Sequence, residues 1–117
     1  MIRLLDADSD LGRIWDIDFS GAAPAAGAGI TGVDHIGQTM AYDEMLSWAL
    51  FYASIFGAEK APMVDVADPD GLVRSQAVQS GALRITLNGA EARRTLAGRF
   101  MEDSFGSAVQ HIAFATQ

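Results

Sequence analysis

The fold of this chain is decided by the stretch Gly106-Ser-Ala-Val-Gln-His-Ile-Ala-Phe-Ala-Thr116 and by its earlier counterpart, Gly32-Val-Asp-His-Ile-Gly-Gln38. Each is a short run typical of a β-strand with one histidine near its middle, and the sequence contains only these 2 histidines. Because side chains alternate between the two faces of a strand, each histidine shares its face mainly with small residues. The isoleucine that follows it, Ile36 or Ile112, points the other way. We therefore predict two strands that are packed on one face and open on the other.

The two strands repeat one local pattern, Val-x-His-Ile-Gly around His35 and Val-x-His-Ile-Ala around His111. Two histidines on two strands are also compatible with partly buried rings that bond to nearby carbonyl groups. The repetition favours a duplicated structural unit, in which equivalent strands carry equivalent histidines. We therefore expect the imidazoles of His35 and His111 to face one shared cavity, where a metal ion or a substrate would bind.

The composition of the chain favours some classes of protein and argues against others. A chain of 117 residues of which 50% are hydrophobic is typical of one globular domain. The net charge of −7 argues against nucleic-acid binding, and no apolar run approaches the ~18–20 residues that span a bilayer. With no cysteine there is neither a disulfide framework nor a thiolate metal site, which fits a cytoplasmic protein.

Local patterns predict an α+β fold with the order β-α-β-β-β, a helix, and a final strand. Asp43 is expected to cap a helix that runs to about Phe56 and is closed by Gly57. Its predicted buried stripe is Leu46, Ala49, Leu50, Ala53 and Phe56. A second helix is expected over 91–101. In the strand 83–88, Leu83, Ile85 and Leu87 are expected to face the first helix, and Arg84, Thr86 and Asn88 the open side.

We divide the chain accordingly. Residues 1–29 are expected to be the tail of a preceding element followed by a linker, because 20–29 consist almost entirely of small residues. Residues 30–105 form a βαβββ module, and 106–117 form the first strand of a second, incomplete module. A strand left without its neighbours invites pairing, so we expect a homodimer formed by edge-strand pairing or strand exchange.

The order of elements and four segments together resemble the vicinal oxygen chelate superfamily, which includes glyoxalases, bleomycin-resistance proteins and extradiol dioxygenases. Within it the chain is similar to 4-hydroxyphenylpyruvate dioxygenase. The segments are Val33-Asp-His-Ile36, Leu72-Val-Arg-Ser75, Leu87-Asn88 and Gly106-Ser-Ala-Val-Gln-His-Ile-Ala113, in which Ala108 replaces the usual second glycine. The stretches 46–52 and 68–75 resemble in particular the C-terminal domain of bacterial two-domain 3-dehydroshikimate dehydratases. The resemblance covers about residues 30–117.

The resemblance implies a site for Fe(II) or another divalent metal, held by two histidines and a glutamate that leave positions open for a 2-oxo acid and oxygen. It assigns His35 and His111 as the first two ligands. The family's glutamate belongs to the last strand of the second module, so the ligand set of this chain is expected to be incomplete. Asp34 is expected on the face opposite His35, and no other carboxylate is aimed at the cavity.

The resemblance also assigns Ser75 and Asn88 to the substrate pocket, and both lie on the predicted open face. Arg84 lies on the same face and is a candidate partner for a substrate carboxylate, although a solvated strand arginine explains it equally well. Gln110 belongs to the histidine motif but alternates away from His111, so we predict a structural role for it. We predict no catalytic residue in this chain alone.

The sequence is compatible with three functions. The first is a fragment of an Fe(II)-dependent dioxygenase domain that acts on a 2-oxo acid and is inactive alone because the third ligand is missing. The second is a non-catalytic, dioxygenase-like domain of a 3-dehydroshikimate dehydratase, a lyase. The third is a small-ligand binding module that needs no metal. In the first two the parent protein is an enzyme, and none of the three involves nucleic acid or a membrane.

Overall fold

The computed structural model describes residue 6, residues 8–13, residue 27 and residues 29–117. Most of the tail and linker expected over 1–29 lies outside these residues; a 3-10 turn, Asp10–Arg13, is described within it. From residue 30 the described elements follow in this order: β1 (Ile30–Ala41), a 3-10 turn (Tyr42–Glu44), α1 (Met45–Phe56), β2 (Glu59–Lys60), β3 (Val64–Asp68), β4 (Gly71–Ser80), β5 (Leu83–Ala90), α2 (Leu96–Asp103) and β6 (Ala108–Thr116).

The described strands form one mixed sheet in the order β2-β4-β5-β1-β6, with β3 beside β2 on the outer edge of β4. β1 runs parallel to β5 and antiparallel to β6, and the other pairs are antiparallel. This arrangement confirms the α+β class and the predicted order of elements, with the short strand β2 added. Neither helix in the described part of the chain is both long enough and apolar enough to cross a membrane.

The main core lies between α1 and one face of the sheet. Ile85 and Leu87 of β5 are 6% and 0% exposed there, which confirms their predicted orientation. The core is completed by Met40, Met45, Ala49, Tyr52 and Val78. Burying a large apolar side chain such as Leu87 contributes about 1.5–3 kcal/mol to folding. This packing occupies one face of the sheet and leaves the opposite face for a site.

The buried stripe predicted for α1 is wrong in part. Met45, Ala49 and Tyr52 are buried, whereas Leu46 and Leu50 are 71% and 58% exposed. Asp43 is not the cap either, because it lies in the 3-10 turn, and the residue that precedes the helix, Glu44, makes no capping bond with its side chain. The helix does end as predicted, since Gly57 has the left-handed φ of 60°.

The second helix begins later than predicted. Thr95 caps α2 through its hydroxyl oxygen, which accepts a hydrogen bond from the Gly98 amide at 3.0 Å. The helix then packs Ala97 against Val73 and Ala90, on the sheet face opposite α1. α2 therefore covers one end of the otherwise open face.

Candidate metal centre

His35 and His111 meet on the open face of the sheet. The antiparallel pairing of β1 with β6 places His111 opposite Gly37 and His35 opposite Ala113, so both histidines lie on the same side. Their ring centroids are 5.5 Å apart, and the ring planes are inclined by 86°. Two imidazoles at this separation can each direct a nitrogen toward one cation. Residues that are far apart in the sequence thus form one candidate site.

Gly37 makes this approach possible. The His111 imidazole lies directly over the Gly37 backbone, and a Cβ built on that residue would overlap three atoms of the ring. Glycine therefore leaves the space that the ring occupies, and a side chain at this position would displace the imidazole. Gly32, on the same strand, has no neighbour within 4 Å of the equivalent position.

Asp34 does not point away from His35 as predicted. Its Oδ2 atom lies 2.7 Å from Nδ1 of His35, and its Oδ1 atom lies 3.4 Å from Nη1 of Arg84. The register of β1 against β6 shifts between Val33 and His35, and this irregularity interrupts the strict alternation on which the prediction depended. The hydrogen bond with His35 is the largest effect on the Asp34 carboxyl and lowers its pKa below the ordinary value. Burial, the next effect, opposes it, and the Arg84 guanidinium adds a smaller lowering contribution.

Polar side chains extend from the histidine pair along the open face. The register places Thr39, Asn88 and Ser75 directly opposite one another on β1, β5 and β4. The neighbouring row contains Gly37, the residue that faces His111. Asn88 and Ser75 are half-buried, and neither side chain is hydrogen-bonded to another described side chain. Two of the predicted substrate-binding residues are thus adjacent, one row from the histidines, whereas Arg84 contacts Asp34.

Gln110 lies closer to this site than the sequence suggested. A second register shift, between Gly37 and Gln38, lets its side chain reach the same face as His111. There Oε1 of Gln110 accepts a hydrogen bond of 2.9 Å from the buried Thr39 hydroxyl. Gln110 and Asn88 line one cavity of about 220 Å³, whose wall includes Val66, Val73, Leu96 and Ala97. Only the place of Gln110 within the histidine motif pointed to it in the sequence.

The residues present fit a metal ion in part. Two imidazoles converge, and a glycine cradle holds one of them. Among the described residues, however, no group of three or more histidine, cysteine, aspartate or glutamate side chains could hold a metal ion. The two-histidine ligand set remains a prediction, and no reaction step can be derived through a metal from this chain's own residues.

Two curated relatives are similar in sequence to this chain. The chain is 37% identical to 3-dehydroshikimate dehydratase of Pseudomonas aeruginosa over 117 residues, which is 97% of this chain and 18% of the relative. It is 32% identical to 4-hydroxyphenylpyruvate dioxygenase of Legionella pneumophila over 104 residues, which is 87% of this chain and 29% of the relative. The chain thus spans less than a third of each relative. No protein-family model matches it.

Solved structures share the fold. A fusion protein of a xylose isomerase-like TIM barrel with 4-hydroxyphenylpyruvate dioxygenase matches with a TM-score of 0.61 and 30% identity, over 91% of this chain and 17% of that one. Methylmalonyl-CoA epimerase of Mycobacterium tuberculosis matches with a TM-score of 0.64 and 21% identity, over 80% of this chain and 61% of that one. The chain is therefore a homologue of the 3-dehydroshikimate dehydratases and the 4-hydroxyphenylpyruvate dioxygenases, and its fold is of the vicinal oxygen chelate type.

Proposed function

We propose that the chain supplies two of the three protein ligands of a divalent-metal site, with Fe(II) as the metal, in a dioxygenase-like domain that acts on a 2-oxo acid. The observation that carries the proposal is the approach of the His35 and His111 rings to 5.5 Å on the open sheet face. In this proposal residues 30–105 form one βαβββ module, and 106–117 open a second module that supplies the third ligand. The reaction belongs to the cytoplasm, which the absence of cysteine fits.

A metal bound at the two histidines would supply Lewis acidity and hold the 2-oxo acid beside oxygen. The protein's own residues bind and orient the substrate. Asn88 and Ser75, which are opposite each other in the sheet, direct an amide and a hydroxyl toward its organic part. Arg84, whose side chain is 44% exposed, is the residue in this proposal that attracts a carboxylate.

A second candidate function is supported by the degree of sequence identity. Identity is higher to the dehydratase, at 37% over 97% of the chain, than to the dioxygenase. In this candidate the chain belongs to a non-catalytic domain of a 3-dehydroshikimate dehydratase, where the histidines bind a metal without turnover.

Calorimetry with Co²⁺ and Mn²⁺, which resist oxidation better than Fe²⁺, tests metal binding directly. We expect uptake by the wild-type chain and at least a tenfold loss of affinity in His111→Ala, because one ligand is removed. Thr116→Ala, an exposed change on the same strand, serves as the control. Absence of uptake by the wild-type chain would contradict both candidates and favour the metal-free binding module.

Substrate binding and oxygen consumption then separate the two metal-binding candidates. If the domain is dioxygenase-like, 4-hydroxyphenylpyruvate should bind to the Co²⁺-loaded chain, and Asn88→Ala should weaken that binding. Metal uptake without binding of the 2-oxo acid would favour the non-catalytic domain. With Fe²⁺ the isolated chain should consume no oxygen in either case, since its ligand set is incomplete. Turnover by the isolated chain would contradict this expectation.

A further inference from the structure

We infer that Asp34 and Arg84 act as positioning residues, which fix the tautomer and orientation of His35 so that its Nε2 atom keeps a free lone pair on the sheet face that it shares with His111. The part of this inference that concerns metal affinity rests on the proposed function. The part that concerns the tautomer stands on the contacts alone.

The two oxygens of the Asp34 carboxylate have different partners. Oδ2 lies 2.7 Å from Nδ1 of His35, and Oδ1 lies 3.4 Å from the Arg84 guanidinium. A carboxylate held at both oxygens cannot rotate freely about its own axis. The register shift of β1 at Val33/His35 accompanies the contact of Asp34 with His35, and the two contacts of the carboxylate together restrain the imidazole.

This contact has a definite consequence for the protons of the ring. A neutral imidazole carries a single N–H, and an ionised carboxylate can only accept hydrogen bonds. Nδ1 of His35 must therefore carry the hydrogen, and Nε2 keeps its lone pair. The free histidine side chain prefers the opposite tautomer, with the hydrogen on Nε2, so Asp34 reverses the intrinsic preference. An Nε2 lone pair is the form that a cation or an N–H donor can use.

The tautomer can be read without any metal. In the metal-free chain labelled with ¹⁵N-histidine, at a pH where the rings are neutral, long-range ¹H–¹⁵N correlation spectra distinguish the two tautomers. We expect the Nδ1–H form for His35 in the wild-type chain and the Nε2–H form in Asp34→Ala. Arg84→Gln should produce a mixture. Asp43→Ala removes an exposed carboxylate that makes no ion pair with a described residue, and it should leave the His35 signals unchanged.

An Nε2–H tautomer for His35 in the wild-type chain would overturn the inference, and so would an unchanged tautomer in Asp34→Ala. The wild-type spectrum alone shows which ring nitrogen of His35 carries the hydrogen, even if a variant fails to fold. With Co²⁺ the affinity should fall roughly 10- to 100-fold in Asp34→Ala and stay unchanged in Asp43→Ala. A tautomer change in a chain that takes up no metal would defeat the proposed function and leave the role of Asp34 intact.

Discussion

At the scale of single residues, the geometry of the site depends on Gly37, which has no side chain. His111 lies over the Gly37 backbone because nothing projects from that position. β1 and β6 are already paired, so a methyl group at residue 37 cannot be accommodated by separating the strands without loss of hydrogen bonds. The ring of His111 is the part that can move.

We predict that Gly37→Ala displaces the His111 ring and lowers Co²⁺ affinity about tenfold or more, because one ligand leaves its position. Gly32→Ala places the same methyl group on the same strand in open space and should change neither property. Calorimetry gives the affinity, and the chemical shifts of the His111 imidazole show whether the ring is displaced in the metal-free chain. Equal affinities in the two variants would show that the ring does not depend on the glycine.

How far residues could be placed from the sequence depends on where the strands are regular. Strict alternation puts Asn88 and Ser75 on the open face, and the alternation holds there because β4 and β5 pair without a break. The register shifts between β1 and β6 place Asp34 and Gln110 differently from a regular strand. No residue type in those strands signals such an irregularity, so the sequence alone could not locate it.

At the scale of elements, α1 shows why apolar periodicity was ambiguous. The helix is apolar on nearly all sides, so the stripe through Leu46 and Leu50 was as plausible as the one through Met45 and Tyr52. The partner strand β1 determines which of the two stripes is buried. Tyr52 donates a hydrogen bond of 2.7 Å to Oε1 of Gln38, and both residues are 5% exposed. A buried polar pair thus fixes the rotation of the helix against β1.

We predict that Tyr52→Phe lowers the free energy of unfolding by about 1–3 kcal/mol near neutral pH, because Oε1 of Gln38 loses its buried partner. Denaturant unfolding measures the change. An unchanged midpoint would mean that the pair does not orient the helix.

The same tyrosine predicts an alkaline dependence. Burial raises the pKa of Tyr52 above its ordinary value of 10.0. The fold therefore favours the protonated phenol, and the resulting stability is complete below pH 10.0 and is lost as the pH rises through the raised pKa. Unfolding free energies measured across this range should fall in the wild-type chain and in Tyr42→Phe, which retains Tyr52. The fall should be much smaller in Tyr52→Phe.

At the scale of the whole molecule, the two edges of the described sheet differ in charge. One edge, formed by β2 and β3, carries Glu59, Lys60, Asp65 and Asp68. The other edge, β6, has the sequence Ala-Val-Gln-His-Ile-Ala-Phe-Ala-Thr with no charged residue. Charges on an edge strand discourage pairing with another chain, and β6 lacks them. Val109, Ile112 and Phe114 are each more than half exposed along it.

We therefore predict that the chain associates through β6, and that Ile112→Lys weakens association by placing a charge on this edge strand. Val66→Lys makes a similar change on β3 and serves as the control. Sedimentation or light scattering over a range of concentrations measures the effect. A wild-type chain that stays monomeric at high concentration would contradict the prediction.

The position of β6 also has a consequence for local opening. Among the described strands its sheet partner is β1 alone, whereas β1 is held on both sides by β5 and β6. Detachment of β6 would separate the two imidazoles while the remainder of the sheet stayed folded, so the amide protons of 108–116 should exchange with solvent faster than those of 36–41. A cation that binds both rings would oppose the detachment of β6 from β1. Its uptake should slow exchange in β6 more than anywhere else in the chain.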